Sequence, residues 1–225
     1  MVASPRLVIP QCGAIKLAQR KRQFVATSLT VLAVDDGAPY RMRRFANAHA
    51  DDLSLVVVPK TTAISSSVQP MTVAQMIRLR ALLSASESET TRTLALEEFF
   101  AMWLLQSVSS GATACTSSPR VSRAVVAAQE FLADNTDKSI TLSAIAQAAS
   151  ISPIYLARQF KATTGATLHQ SHLRLRIVKA VAHLDGGERN LTRLALDLGF
   201  ASHAHFSNVF REIAGSTPTS YRRAH

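Results

Sequence analysis

The segment 202–215 has a second copy 50 positions upstream, and this repeat limits the fold more than any other feature of the chain. Ser202, Phe206, Phe210, Arg211, Gly215 and Thr217 correspond to Ser152, Leu156, Phe160, Lys161, Gly165 and Thr167. Both copies read as amphipathic helices. In the downstream copy Phe206, Phe210 and Ile213 follow i, i+4, i+7 and face a core. Ala204, Ser207, Asn208 and Arg211 lie on another face. Ser202 suits the N-cap, and Gly215 suits the position just past the end. The matching outer positions upstream are Ile154, Ala157, Arg158 and Lys161. A shorter helix precedes each copy: 142–149 with Ile145 and Ala146, and 191–198 with Leu194 and Ala195. Two copies are too few for a solenoid, which needs about three. The repeat therefore predicts two helix-turn-helix units side by side.

The outer faces hold no catalytic set. Their small, amide and cationic side chains suit the base edges of a DNA groove. A net charge of +10 agrees with an anionic partner, nucleic acid first and a membrane surface second. The charge is spread, however: residues 119–225 hold 13 Lys and Arg against 7 Asp and Glu, and residues 1–118 hold 12 against 8. The DNA reading thus rests on the helices rather than on a basic cluster. An enzyme finds no support, because the chain has no nucleophile elbow, phosphate loop or metal spacing. No cofactor and no metal are expected. His203 and His205 are two apart and share no helix face, and His49, Asp51 and Asp52 lack a second cluster. Cys12 and Cys115 form no CxxC pair and read as reduced thiols, with a redox switch as the alternative. No signal peptide and no apolar run long enough to cross a membrane are found. The expectation is a cytoplasmic protein.

Composition also divides the chain. Segment 109–118 is rich in Ser, Thr and Gly, is uncharged, and reads as a linker. It would separate an N-terminal regulatory or dimerisation domain, 1–108, from a DNA-binding domain, 119–225. In the first part, 24–34 is rich in β-branched residues and ends at the turn signal Asp35-Asp36-Gly37. Segment 40–45 is the expected returning strand, with Arg41, Arg43 and Arg44 exposed. Segment 53–58 is a further strand stopped by Pro59. These predict a small antiparallel sheet over about 20–60. The basic run 16–22 reads as a solvated loop, with a DNA or partner contact as the alternative. Helices at 71–83 (Met76, Leu79, Leu82, Leu83) and 91–107 (Leu94, Leu96, Phe99, Phe100, Trp103, Leu104) predict a helix hairpin. Its apolar face either packs on the sheet or makes a homodimer contact through 71–107.

After the linker, Pro119 opens a helix with Val121, Val125, Ala128 and Leu132 on one face. Thr141 caps the next helix, and Ser152 with Pro153 starts the third. Thr167 caps a long helix to Leu184, with Leu173, Ile177, Ala180 and Leu184 inward, and Asp185-Gly186-Gly187 stops it. Asn190 caps 191–198, Gly199-Phe200 makes the turn, and the tail 217–223 folds back or forms a last short helix. The class is mostly α: an all-α C-terminal domain with two helix-turn-helix units joined by a long helix, and a small N-terminal α+β domain with a reduced β-sheet plus the hairpin.

The pattern Leu194-Ala195-x-x-x-Gly199-Phe200-x-Ser202-x-x-x-Phe206-x-x-x-Phe210-Arg211-x-x-x-Gly215-x-Thr217-Pro218-x-x-Tyr221-Arg222 resembles the signature of the AraC/XylS family of bacterial transcription regulators. Leu142, Ile145-Ala146, Ser152-Pro153, Leu156, Arg158, Phe160-Lys161, Gly165, Leu175-Arg176 and Ala180 fit the upstream half. Leu168 and Ser171 depart from it, where the family often has Pro and an aromatic. The resemblance covers about 119–225 and implies a seven-helix domain whose two recognition helices enter the major groove. It implies base contacts from Ile154, Ala157, Arg158, His203, Ala204, Ser207 and Asn208. Phosphate contacts would come from Lys161 and Arg211 and from the helix starts at Thr141 and Asn190. The implied partners are double-stranded promoter DNA and RNA polymerase, with activation as the expected outcome and the bacterial cytoplasm, at the nucleoid, as the place. A small-molecule effector and a protein coactivator both remain open for the N-terminal part. The competing reading is an interaction scaffold that binds a protein and reads no DNA.

Overall fold

The computed structural model describes residues 6–10, 14–19, 22–34, 39–44, 53–57, 67–84, 89–109 and 119–224. Among the described residues the first part holds seven strands: β1 (Arg6–Pro10), β2 (Ala14–Gln19), β3 (Arg22–Thr27), β4 (Thr30–Val34), β5 (Tyr40–Arg44), β6 (Leu53–Val57) and β7 (Ser67–Pro70). They form two antiparallel sheets, β6-β1-β4-β7 and β3-β2-β5. The alternation of side chains explains why β1 and β4 are apolar and buried after their first residues, Arg6 and Thr30. Val8, Leu32 and Val34 meet Ile15, Leu17 and Ala26 in a core between the sheets. Leu7, Ile9, Val31 and Ala33 point the other way, into a core shared with helices. A strand buried on both faces carries no polar alternation.

This β part departs from the sequence expectation in three ways. It runs from Arg6 to Pro70 rather than over about 20–60. Segment 24–34 is not one strand but the end of β3 and all of β4, in different sheets. The break is held by hydroxyls: Thr30 Oγ1 accepts from the Thr27 amide at 2.7 Å and donates to the Thr27 carbonyl at 3.0 Å. Third, β5 pairs with β2 (Leu17 opposite Met42) and does not return along β4. Arg41 and Arg43 are exposed as expected. Within the basic run 16–22, Lys16 and Arg22 belong to strands, and Lys16 Nζ pairs with Glu130 at 3.0 Å. The turn signal 35–37, both cysteines, His49, Asp51, Asp52, Pro59 and the linker from 110 to 118 lie outside the described residues.

Helix α1 (Val73–Ser84) starts with a reciprocal cap, in which the Thr72 amide donates to Gln75 Oε1 and the Gln75 amide donates to Thr72 Oγ1. It forms the expected hairpin with α2 (Glu89–Ser109). Met76 and Leu79 are buried, with Phe99, Phe100 and Trp103 opposite. Leu94 was expected on this face but is 66% exposed, because α2 meets the core only from Leu96 onward.

Seven helices follow: α3 (Pro119–Asp134), α4 (Leu142–Ala148), α5 (Pro153–Thr164), α6 (Leu168–Asp185), α7 (Leu191–Asp197), α8 (His203–Ala214) and α9 (Pro218–Ala224). Thr141 Oγ1 accepts from the Ala144 amide, and Asn190 Oδ1 from that of Arg193. Thr167 and Gln170 make a full capping box. Ser202 caps α8 through its side chain, whereas Ser152 caps α5 by position only, with no side-chain bond. The tail becomes α9. Val125, Ala128 and Leu132 of α3 close one core with Leu156 and Phe160. The second core joins Phe206 and Phe210 to α6, α7 and α9, and continues into Met76, Leu79, Phe100 and Trp103. The first part of the chain therefore packs directly against the second helix-turn-helix unit.

Candidate nucleic-acid interface

Each unit presents a helix with one face buried and the other open. On α5, Leu156 and Phe160 are fully buried, which pins the helix and turns Ile154, Arg158 and Lys161 outward. Ile154 is 86% exposed, an exposure that packing within the chain does not reward. Ala157 is half-buried beside them. On α8, Phe206, Val209 and Phe210 are buried, and His203, Ala204, Asn208 and Arg211 are exposed. Ser207 is half-buried, with its Oγ 3.4 Å from His203 Nε2. Phe206 and Phe210 meet edge to face, and Phe210 continues to Tyr221, so α8 rests on a stacked aromatic base. Thr141 and Asn190 are both exposed, but their side-chain oxygens are already engaged as caps.

Three residues carry more weight in the structure than their sequence pattern shows. Tyr155 is 38% exposed and lies under the Arg158 guanidinium, 5.6 Å from its centroid. The i, i+3 spacing of a Tyr and an Arg on a helix was the available signal. Val209 is core, although the apolar pattern selected Ile213. Arg176, met only as a motif position, ties the units together. Its Nε donates to the Thr136 carbonyl at 2.8 Å, Nη1 to Gly199 at 2.8 Å and Nη2 to Lys138 at 2.9 Å, and its guanidinium lies 5.4 Å from the Phe200 ring. One buried side chain on α6 thus grips the loop after α3 and the turn before α8. Burial lowers its pKa, with Asp137 nearby opposing that shift. Gly199 fits this grip: its φ is +74°, and a Cβ there would collide with the Asp137 carbonyl and sit 2.8 Å from Arg176 Nη2.

His172, one turn before Arg176 on α6, is also buried, and its Nε2–H donates to the Asn135 carbonyl at 3.1 Å. Desolvation, then the Arg176 charge, pushes its pKa down. Helix α6 is about 27 Å long at roughly 1.5 Å per residue. Hydrogen bonds and packing bind it at both ends, so it acts as a strut between the two open helices.

A basic chain with two exposed helices, each the second member of a helix-turn-helix pair on a common strut, is the structural class of DNA-binding transcriptional regulators. A helix-turn-helix domain model matches residues 145–224. The regulatory protein SoxS of Salmonella typhimurium is 32% identical over 93 residues, 41% of this chain and 87% of that protein. The transcriptional activator RhaS of Escherichia fergusonii is 36% identical over 93 residues, which are 41% of this chain but 34% of that protein. Among solved structures, the C-terminal domain of the response regulator AraT from Geobacillus stearothermophilus is 29% identical, covering 48% of this chain and 87% of that one, with a TM-score of 0.42. The chain belongs to the AraC/XylS family of transcriptional regulators. No described helix is long and apolar enough to cross a membrane.

Proposed function

We propose that this regulator acts as a transcriptional activator that places α5 and α8 in adjacent major grooves of one promoter duplex. The observation that carries this reading is the outward exposure of Ile154, Arg158, His203, Ala204 and Asn208 on two helices fixed to one strut. In this reading Ile154 and Ala157 touch thymine methyls, and Arg158 makes two bonds to a guanine. Tyr155 supports the Arg158 plane. Asn208 pairs with an adenine edge, with His203, Ala204 and Ser207 beside it. Lys161 and Arg211, in the last turns of their helices, meet phosphates, as do the helix starts at Thr141 and Asn190. At Asn190 a carboxylate is already present: Glu188 Oε1 accepts from the Asn190 amide at 2.7 Å. A phosphate there has to displace or avoid it.

RNA polymerase is the proposed target of activation, in the bacterial cytoplasm at the nucleoid. The division into a regulatory part, 1–108, and a DNA-binding part, 119–225, belongs to the same reading. So do an effector or a protein coactivator acting on the first part, and a homodimer through 71–107. Exposed Leu94 and Met102 on α2 support the dimer.

The test is selection of random duplexes by the purified chain, followed by sequencing. A two-part site with its halves about one helical turn, about 34 Å, apart supports the reading. Enrichment of no sequence would leave a charged scaffold and defeat it.

A further inference from the structure

A cavity of about 570 Å³ opens where the β part, the strut and both helix-turn-helix units meet. Its walls come from the β3–β4 turn, the end of β7 and start of α1, Trp103 of α2, α3, the last turns of α5 and α8, and the first turns of α6. The size falls within the usual range for a small-molecule site, about 300–1,000 Å³. Leu29, Trp103, Phe160, Leu173, Val209 and Ile213 give it an apolar body with aromatic surface. Gln69, Gln129 and Gln170 give it amides. Gln69 carries the argument further. It sits on β7, lines the cavity, and its Oε1 is buried with no hydrogen-bond partner among the described residues. A buried acceptor without a donor is costly to leave unpaired, and a ligand donor reaching it would recover that cost. Among the described residues one cation, Arg174, and one anion, Glu212, line the walls, so these charges balance.

We infer that this cavity is the binding site for an uncharged, largely apolar small molecule that presents a hydroxyl or N–H donor to Gln69. Such a ligand touches the β part, α6 and α8 at once. This inference rests on the regulator reading only for its consequence, since occupancy bears on the strut that spaces the two DNA-facing helices. The site itself stands apart from DNA.

The chain's single tryptophan, Trp103, lines the cavity, so its one indole N–H resonance is a local reporter. Three probes of one shape separate the terms: 2-naphthol (neutral donor), 2-methylnaphthalene (no donor) and 2-naphthoate (anion). Each is titrated into the full chain without DNA. The expected result is a saturable shift of the Trp103 signal, with 2-naphthol bound about tenfold more tightly than 2-methylnaphthalene, the ratio a hydrogen bond to a buried acceptor supplies. Gln69→Leu should erase that ratio while 2-methylnaphthalene still binds. Ser171→Phe, which fills the space from α6, should abolish both, with the melting temperature of each variant showing that it folds. No saturable shift, an unchanged ratio in Gln69→Leu, or tightest binding of the anion would each overturn the inference. DNA selection on the same preparation keeps the two readings apart. Probe binding without sequence preference upholds the cavity and defeats base reading, whereas sequence preference without probe binding does the reverse.

Discussion

Gly199 is the residue where chain geometry leaves least choice. A side chain there pays twice, once for the left-handed φ of +74° and once for collision with the Asp137 carbonyl. Gly199→Ala should destabilise the fold by about 3 kcal/mol or more, read from urea denaturation. The neighbouring grip sets a pH dependence. His172 is held neutral, its folded pKa below the ordinary 6.5 through desolvation first and Arg176 second. The unfolded chain therefore takes the proton more readily. The stability tied to His172 is complete above about pH 6.5 and falls as the pH drops through 6.5 toward the lower folded value. The urea midpoint should thus fall between pH 7.5 and 5.5, and His172→Gln should flatten that slope even if it lowers the midpoint throughout. An equal slope in both proteins would show that His172 is not the source. Outside the strut, Arg158→Ala is expected to weaken DNA binding by about 1–3 kcal/mol and to relax the preference at one base pair. Uniform weakening on all sequences would remove Arg158 from base reading.

At the scale of elements, α5 and α8 are read as doing one job twice, so the cations in their last turns should be interchangeable in kind. Lys161→Ala and Arg211→Ala should each lower the slope of log affinity against log salt by about 0.9 and leave the preferred sequence unchanged. A change in preferred sequence would mean that the residue reads bases. These helices were legible in the sequence because their determinants are local. Thr141, Thr167, Asn190 and Ser202 sit next to the amides they cap, and Phe206 and Phe210 mark the buried face within one turn. The strands were less so, because pairing is decided far away. Nothing within 24–34 announces that Thr27 and Thr30 turn the chain from one sheet to the other, or that Leu17 opposes Met42. Arg176 shows the same limit at the site. Its motif position was visible, but its three carbonyl partners lie 23, 38 and 40 residues away. Val209 falls outside the i, i+4, i+7 stripe because α8 buries a wider face than that stripe describes.

The whole molecule is joined more tightly than its composition suggests. The Ser/Thr/Gly-rich stretch invites a picture of two parts on a tether, yet one apolar core runs from Leu7 and Trp103 to Phe206 and Tyr221. Asp185, at the end of the strut, ties the same parts with polar contacts. One oxygen pairs with Arg80 Nε of α1 at 2.8 Å, and the other accepts from the Tyr221 hydroxyl of α9 at 2.8 Å. Burial, with that hydrogen bond and the Asp185 charge adding to it, raises the Tyr221 pKa and keeps the phenol a donor at neutral pH. A continuous core should melt as one unit. Trp103 is the only tryptophan and lies in the first part, while most of the described helical residues, those of α3 to α9, lie in the second. Tryptophan fluorescence and far-ultraviolet circular dichroism therefore report on different parts, and their thermal transitions should coincide. Arg80→Ala removes one side of the joint and should cost about 1 kcal/mol, a fall of roughly 2–4 °C in both transitions together. If fluorescence is lost well before the helical signal in the unmodified chain, the two parts fold separately. The strut then could not carry to α5 and α8 any event that begins in the sheets.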